Sequence, residues 1–360
     1  MKEKESVTVY DLARAAGVSQ GTVDRVLHNR GRFSEATRDK VLRAVEELGY
    51  APNMYARSMA QRSKRIIACI VPDFEEGTYW DSNNEGLMEG AAEVAPLGVE
   101  VRFHRYDYTS RKSFKKAVEE TLDEGCNGVI LGPVFDDLSL PFVGRLREMN
   151  IPFVYIDRKI GNDGDVAFYG TDFYQSGILG AHVTSLVQQE GTVLLVALSQ
   201  IEPSFADTTV DRRQAIFDYF SEHCPGITTY SVEIDTENEA VREKTLDAFF
   251  AEHPEVRSAI VTNTRAYQFD EYLRKHPKKN LFVLGYDDTR RNLKALRDGN
   301  VSAIITRGIP LQAKNSVISL ANFIQGDRRP ETKDNYLHLG ILTKHNLHGL
   351  FDVTPKSWTV

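Results

Sequence analysis

TVYDLARAAGVSQGTVDRVL, residues 8–27, reads as two short helices joined by a tight turn. Thr8 is placed to cap the first helix, with Asp11 three residues on near the positive end of its dipole. Leu12, Ala15 and Ala16 then form its inner stripe. Gly17 supplies the turn, and Ser19 caps a second helix whose inner face is Val23, Val26 and Leu27. Gln20, Gly21 and Arg25 are left on the outer face. Small helical hairpins of many kinds share this spacing, and the helix-turn-helix that lays its second helix in a DNA major groove is one of them.

The sequence downstream narrows the choice. HNRGRF (28–33) is a basic loop in which Gly31 suits a left-handed conformation. Ser34 caps a third helix, EATRDKVLRAVEELG, with Val41, Leu42, Val45 and Leu48 inward and Gly49 at its end. In YAPNMYARSMAQRSKR (50–65), Pro52 breaks the helix and Asn53 can cap a short new one running to Ala60. That segment has too few apolar residues to be stable alone, so it reads as a linker that folds when something holds it.

From Arg65 the texture changes. RIIACIVP (65–72), GVEVRFHRYD (98–107), GVILGPV and IPFVYIDR (151–158) are apolar strands separated by amphipathic helices. The cycle restarts with a helix at SGILGAHVTSLVQQEG and continues through TVLLVALS, ITTYSVEI, SAIVTN, NLFVLGYDD (280–288) and VSAIIT (301–306). Regular alternation of this kind implies parallel, doubly wound sheets. At 360 residues the chain is too long for one typical core, and two α/β lobes behind a small helical head fit its length.

Charge is unevenly spread. The net charge is −7, yet residues 1–65 carry thirteen Lys and Arg against eight Asp and Glu. A basic head on an acidic body suits a nucleic-acid module attached to something that does not bind nucleic acid. Cys69, Cys126 and Cys224 are odd in number and widely spaced, which reads as free thiols in a reducing compartment. His and Cys residues show no metal-ligand spacing. The N-terminus has no apolar core of signal-peptide length and no run approaches a membrane span, so the expectation is a soluble cytoplasmic protein without membrane contact. There is no phosphate loop, no G-x-S-x-G elbow and no H-E-x-x-H helix, and no catalytic residue is assigned.

VTVYDLARAAGVSQGTVDRVLHN (7–29) and TRDKVLRAVEELGYAPNMYARSMA (37–60) resemble the DNA-binding head of the LacI/GalR repressor family. The body more weakly resembles the ribose-binding-protein-like periplasmic-binding-protein fold, through IDR at 156–158, TN at 262–263 and LGYDD at 284–288. The fold class so implied is an all-α helix-turn-helix head of three helices plus a hinge helix, joined to a two-lobed α/β core with parallel sheets. The expected division is a head over 1–50, a hinge over 51–64 and a core over 65–360. Within the core, one subdomain spans about 65–165 and 308–338, the other about 166–307 and 339–360.

The resemblance assigns roles to matching positions. Gln20, Gly21 and Arg25 would face the operator bases, Arg25 gripping a guanine; Ser19, Thr22 and Arg30 would hold phosphates. Gly21 and Asp24 depart from the residues usual there. In the hinge, Asn53, Ala56 and Met59 match N-x-x-A-x-x-L-A, with Met59 as the apolar wedge for the minor groove. Ligand contacts would come from Tyr79, Trp80, Asp157 and Arg158 in one lobe and Arg213, Asn263, Asp287 and Arg307 in the other. The implied protein is a homodimeric repressor on pseudo-palindromic double-stranded operator DNA, nucleoid-associated when bound. It would be controlled by a small-molecule effector, a sugar or sugar derivative, and would need no other cofactor or metal. A transport-type sugar-binding protein and a sugar-processing enzyme are the alternatives from other classes.

Overall fold

The computed structural model describes residues 9–27, 31, 33–48, 64–161, 164–198, 209–277 and 280–347. Thr8, Arg30, Gly49 and the hinge positions Asn53, Ala56 and Met59 lie outside the described residues. The chain divides into two compact units, a helical head and a larger core that begins at Arg65.

In the head, α1 (Val9–Ala16), α2 (Gln20–Leu27) and α3 (Glu35–Leu48) enclose Leu12, Ala13, Ala16, Val23, Val26, Val41 and Ala44. Gly17 and Gly31 both take positive φ, at 65° and 76°. The Ser19 Oγ accepts the Thr22 N–H at 3.2 Å, and the Ser34 Oγ accepts that of Thr37 at 3.2 Å, so both expected caps form. Two details of the core differ from the sequence reading. Ala13 is buried and Ala15 exposed, because α1 packs on α2 and α3 at once and its buried arc is turned toward both. Leu42 and Leu48 are exposed. Leu42 lies about 100° round the helix from Val41, and α3 is longer than either helix it rests on.

The first lobe of the core is built on β1 (Arg65–Pro72), β2 (Val99–Tyr106), β3 (Gly128–Leu131), β4 (Phe153–Asp157), β5 (Ala167–Gly170) and β11 (Asp334–Tyr336), in the spatial order β11-β5-β4-β3-β1-β2. The second is built on β6 (Glu190–Leu198), β7 (Gly226–Ile234), β8 (Ser258–Val261), β9 (Phe282–Tyr286), β10 (Ala303–Thr306) and β12 (Gly340–Leu342), ordered β12-β10-β9-β8-β6-β7. The two orders are the same. All pairings are parallel except β10 with β12. Both faces of each sheet are covered, and side chains along β1 alternate between them: Ile67, Cys69 and Val71 enter one cluster, Ala68 and Ile70 the other. Cys69 and Cys224 are buried and Cys126 half-buried, all three as free thiols. No described helix is long and apolar enough to cross a membrane.

Among the described residues the chain crosses between the lobes three times. The first crossing follows β5, so the first lobe runs past the expected boundary at 165/166 to at least Gly170. AFYG is a four-residue buried strand, too short to register as a separate element in the sequence. The second follows β10 and leads into α12 (Ile309–Gly326), which packs on α4 (Tyr79–Val94) of the first lobe. The third lies between β11 and β12.

The α4–α12 contact depends on two glycines. A Cβ on Gly86 would lie 1.9 Å from the Pro310 carbonyl oxygen, and one on Gly90 would lie 2.8 Å from Val317 Cβ. Gly86→Ala is therefore expected to destabilise the core by about 1–3 kcal/mol or more, because backbone must move to admit the methyl group. Urea unfolding of the full chain followed by far-UV circular dichroism measures this; an unchanged midpoint would contradict the packing.

Candidate functional site

On the head, Ser19, Gln20, Gly21 and Arg25 are exposed along the start and outer face of α2, with Thr22 half-buried between them. The Ser19 and Thr22 hydroxyls lie 2.9 Å apart. The Arg25 guanidinium donates from Nε to the Gly21 carbonyl and from Nη2 to the Thr22 hydroxyl, both at 3.2 Å. One helical face thus presents a planar guanidinium, an amide and two hydroxyls together. These are the donor and acceptor types that read base edges and hold phosphates.

In the core a cavity of about 480 Å³ lies between the two lobes, an ordinary size for a small-ligand site. Much of its wall comes from residues at or just beyond the C-terminal ends of parallel strands: Asp73 after β1, Asp157 at the end of β4, Thr236 after β7, Thr264 after β8 and Arg307 after β10. Open α/β sheets bind ligands at this edge.

Arg307 is the centre of its polar network. It is 3% exposed, and it donates to Asp287 Oδ1 at 2.6 Å and Oδ2 at 3.2 Å, to Asp157 Oδ1 at 3.3 Å and to the Thr171 hydroxyl at 3.0 Å. Burial works against its charge, but Asp287, Tyr79 and Asp157 outweigh it and leave the guanidinium pKa raised. The Tyr79 ring lies 4.7 Å from the same guanidinium, and its hydroxyl donates to Asp157 Oδ1 at 2.5 Å. Burial pushes the Tyr79 phenol well up, so it remains a neutral donor. Trp80 meets Tyr79 edge to face at 5.3 Å and presses on the backbone of Gly132, where a Cβ would come within 2.5 Å of the indole. Both Asp157 and Asp287 hold positive φ, at 66° and 71°. Asp tolerates that conformation better than most residues, and it turns each carboxylate off its strand end.

Tyr79, Trp80, Asp157 and Arg307 therefore line the cavity, and Asp287 stands behind Arg307. The others are placed differently. Arg158 is not among the lining residues; both its Nη atoms donate to Asp136. Arg213 is half-buried with its backbone N–H on the Thr209 carbonyl, also away from the cavity wall. Its neighbour Arg212 is the one that turns inward, bonded to Ser176 Oγ at 2.9 Å and the Thr262 carbonyl at 2.6 Å, with Tyr286 beneath it at 3.8 Å. Helical phase explains the shift, since Arg212 shares the buried face with Ala215, Ile216 and Phe220. Asn263 is buried, and its Oδ1 accepts the Arg265 N–H at 2.7 Å.

Sequence reasoning missed Tyr108, Arg265, Gln268, Glu271 and Arg291, which also line the cavity. Arg265 immediately precedes α10 (Ala266–Lys275), which carries Gln268 and Glu271, and Arg291 is on α11 (Arg290–Asp298). Both helices are amphipathic in sequence, but that pattern marks their buried faces and not which polar residues border the cavity. The available signal was their start, each just beyond a buried strand. Among the described residues no group of three or more acidic, His or Cys side chains is placed to hold a metal.

The chain thus carries an exposed polar helical face on a small helical unit and, within its core, a cavity between two like α/β lobes. Comparison with known proteins agrees: residues 67–328 match the periplasmic binding protein domain and residues 8–53 match the bacterial regulatory proteins of the lacI family. The chain belongs to the periplasmic-binding-protein domain family over residues 67–328, and its head matches the lacI family of bacterial regulatory proteins. The regulator DegA of Bacillus subtilis is 37% identical over 108 residues, which is 30% of this chain and 31% of DegA. The chain thus spans under a third of that relative's length. The ribose operon repressor of Bacillus subtilis is 27% identical over 289 residues, covering 78% of this chain and 81% of that protein. A crystal structure assigned as a LacI transcriptional regulator from Bacteroides fragilis superposes with a TM-score of 0.74 at 27% identity, over 80% of this chain and 99% of the other.

Removing the central guanidinium would leave two carboxylates close together and poorly compensated. Arg307→Met is expected to destabilise the core by about 3–5 kcal/mol, the usual consequence of breaking a buried ion pair from one side. Thermal or urea unfolding of the variant beside the parent chain checks this, and a loss below about 1 kcal/mol would mean the network is not closed.

Proposed function

We propose that this protein is a transcriptional repressor that binds a pseudo-palindromic operator as a homodimer and is controlled by a sugar or sugar derivative bound between its lobes. The supporting observation is the union, on one chain, of the α2 face carrying Gln20 and Arg25 with an interlobe cavity that sets aromatic rings beside a charged Asp–Arg network. Aromatic faces suit the C–H faces of a sugar ring, and paired carboxylate and guanidinium groups suit its hydroxyls. The ribose operon repressor, similar over most of its length, bears a sugar operon in its name. In this reading Arg25 and Gln20 read bases, Ser19, Thr22 and Arg30 hold phosphates, and Asn53, Ala56 and Met59 form the hinge. The protein works in the cytoplasm, on the nucleoid when DNA-bound, and performs no catalysis. Ligand shifts the lobes between two arrangements with different operator affinity, and couplings of about 1–3 kcal/mol are enough to change occupancy.

Arg25→Ala is expected to weaken operator binding by about 1–3 kcal/mol, roughly 5- to 150-fold, while leaving effector binding unchanged. Fluorescence anisotropy with an operator selected from a random DNA pool reads the first quantity, and calorimetry reads the second. Undiminished operator affinity in the variant would remove α2 from the role of reading helix. For the core, a saturating effector raises the melting temperature in proportion to RT ln(1+[L]/Kd). A panel of neutral, amino, acidic and phosphorylated sugars that produced no shift would sink the sugar reading.

A further inference from the structure

The charges of the cavity point to the chemical class of effector, given the sugar reading above. Three arginines line the described wall, and each already faces a carboxylate. Arg307 is held by Asp287 and Asp157, Arg291 by Glu75 at 2.9 Å, and Arg265 by Glu237 at 3.5 Å. Five lining carboxylates face these three guanidinium groups: Asp73, Glu75, Asp157, Glu237 and Glu271. Asp287, directly behind Arg307, adds a sixth, and Arg242, 3.6 Å from Glu271, adds a fourth cation. The described surroundings therefore carry an excess of negative charge. An acid or phosphate entering them would find every lining guanidinium already engaged and would add to that excess.

A second observation locates the demand. Gln268 is 6% exposed and lines the cavity. Its Nε2 donates to the Thr236 carbonyl at 3.0 Å, which fixes the amide orientation, and its Oε1 has no hydrogen-bond partner among the described residues. A buried acceptor without a donor is costly unless a ligand supplies one. Glu271 lies three residues further along α10, hence on the same helical face, and Glu237 approaches from the loop after β7. This corner thus offers three acceptor-only groups, the amide oxygen and two carboxylates that each share one arginine, Glu271 with Arg242 and Glu237 with Arg265.

We propose that the corner of Gln268, Glu271 and Glu237 seats a protonated amine, so that the effector is an amino sugar or a similar amine-bearing polyol and not a sugar acid or sugar phosphate. An ammonium brings three donors and one positive charge. It satisfies the orphan Oε1 and offsets the excess charge in one step. The rest of the ring then lies against Tyr79 and Trp80.

The test is isothermal titration of the full chain with matched sets on one scaffold: glucose, glucosamine, glucuronate and glucose 6-phosphate, and the corresponding galactose and mannose sets. The expected result is that in at least one set the amine binds tenfold or more tighter than its neutral parent, with the acid and phosphate weakest. In Glu271→Gln the ratio of amine to parent affinity is expected to collapse toward one, whatever the absolute affinities. Equal binding of amine and parent, tightest binding by the acid or phosphate, or a ratio that survives Glu271→Gln would each overturn the amine assignment and leave the sugar reading standing. Binding by no member of any set would overturn both.

Discussion

Arg307 ties the two lobes of the core together at the C-terminal edges of their sheets. Its guanidinium spans Asp287 of its own lobe and Asp157 and Thr171 of the other. The common strand order makes these four residues two matched pairs: Asp157 ends β4 as Asp287 follows β9, and Thr171 follows β5 as Arg307 follows β10. Equivalent positions of a duplicated fold thus face each other across the lobe boundary, and only one of the four carries positive charge. A movement of one lobe against the other alters the Arg307–Asp157 contact unless it pivots there, so the state of the lobes is written into the wall of the cavity. The cavity is built around a charge that cannot be moved without cost.

Around the rim the bonds between lobes are of a different kind. Arg290 pairs with Glu85 and, at 3.7 Å, with Glu76; Arg291 donates to the Glu76 carbonyl at 3.0 Å and reaches Glu75. Arg265 donates to the Tyr108 hydroxyl at 3.2 Å. Several of these partners are largely solvent-exposed, and exposed ion pairs contribute little each. A firm pivot inside and weak clasps outside are the arrangement that the proposed ligand-driven shift of the lobes requires.

Much of this was legible in the sequence where periodicity is strong. The two helices and turn of residues 9–27, the caps at Ser19 and Ser34 and the repeated strand–helix cycle follow from apolar spacing and local hydrogen bonding, which are short-range. Asp157 is legible at a strand's end, the edge where such folds bind, whereas Asp287 and Arg307 stand out only through the family resemblance. What failed was phase and reach. Arg212 and Arg213 differ by one step of helix rotation, and nothing local says which faces inward. Arg158 looked free until Asp136, twenty-two residues earlier, was brought beside it by the sheet. Gln268 and Glu271 were silent because their meaning depends on a wall supplied by distant segments.

The interleaving of the lobes also bears on how the chain comes off the ribosome. The second lobe has five of its six strands once β10 has emerged. The first lacks both α12, which covers α4, and its edge strand β11 until residues 309–336 have followed. The head, complete by Leu48, can fold long before either lobe is closed. A nascent chain thus passes through a stage with a finished reading module and an apolar α4 surface still waiting for its cover. Premature termination just after Arg307 would make that stage permanent, yielding a chain with a folded head but exposing sheet and helix surface that invites aggregation.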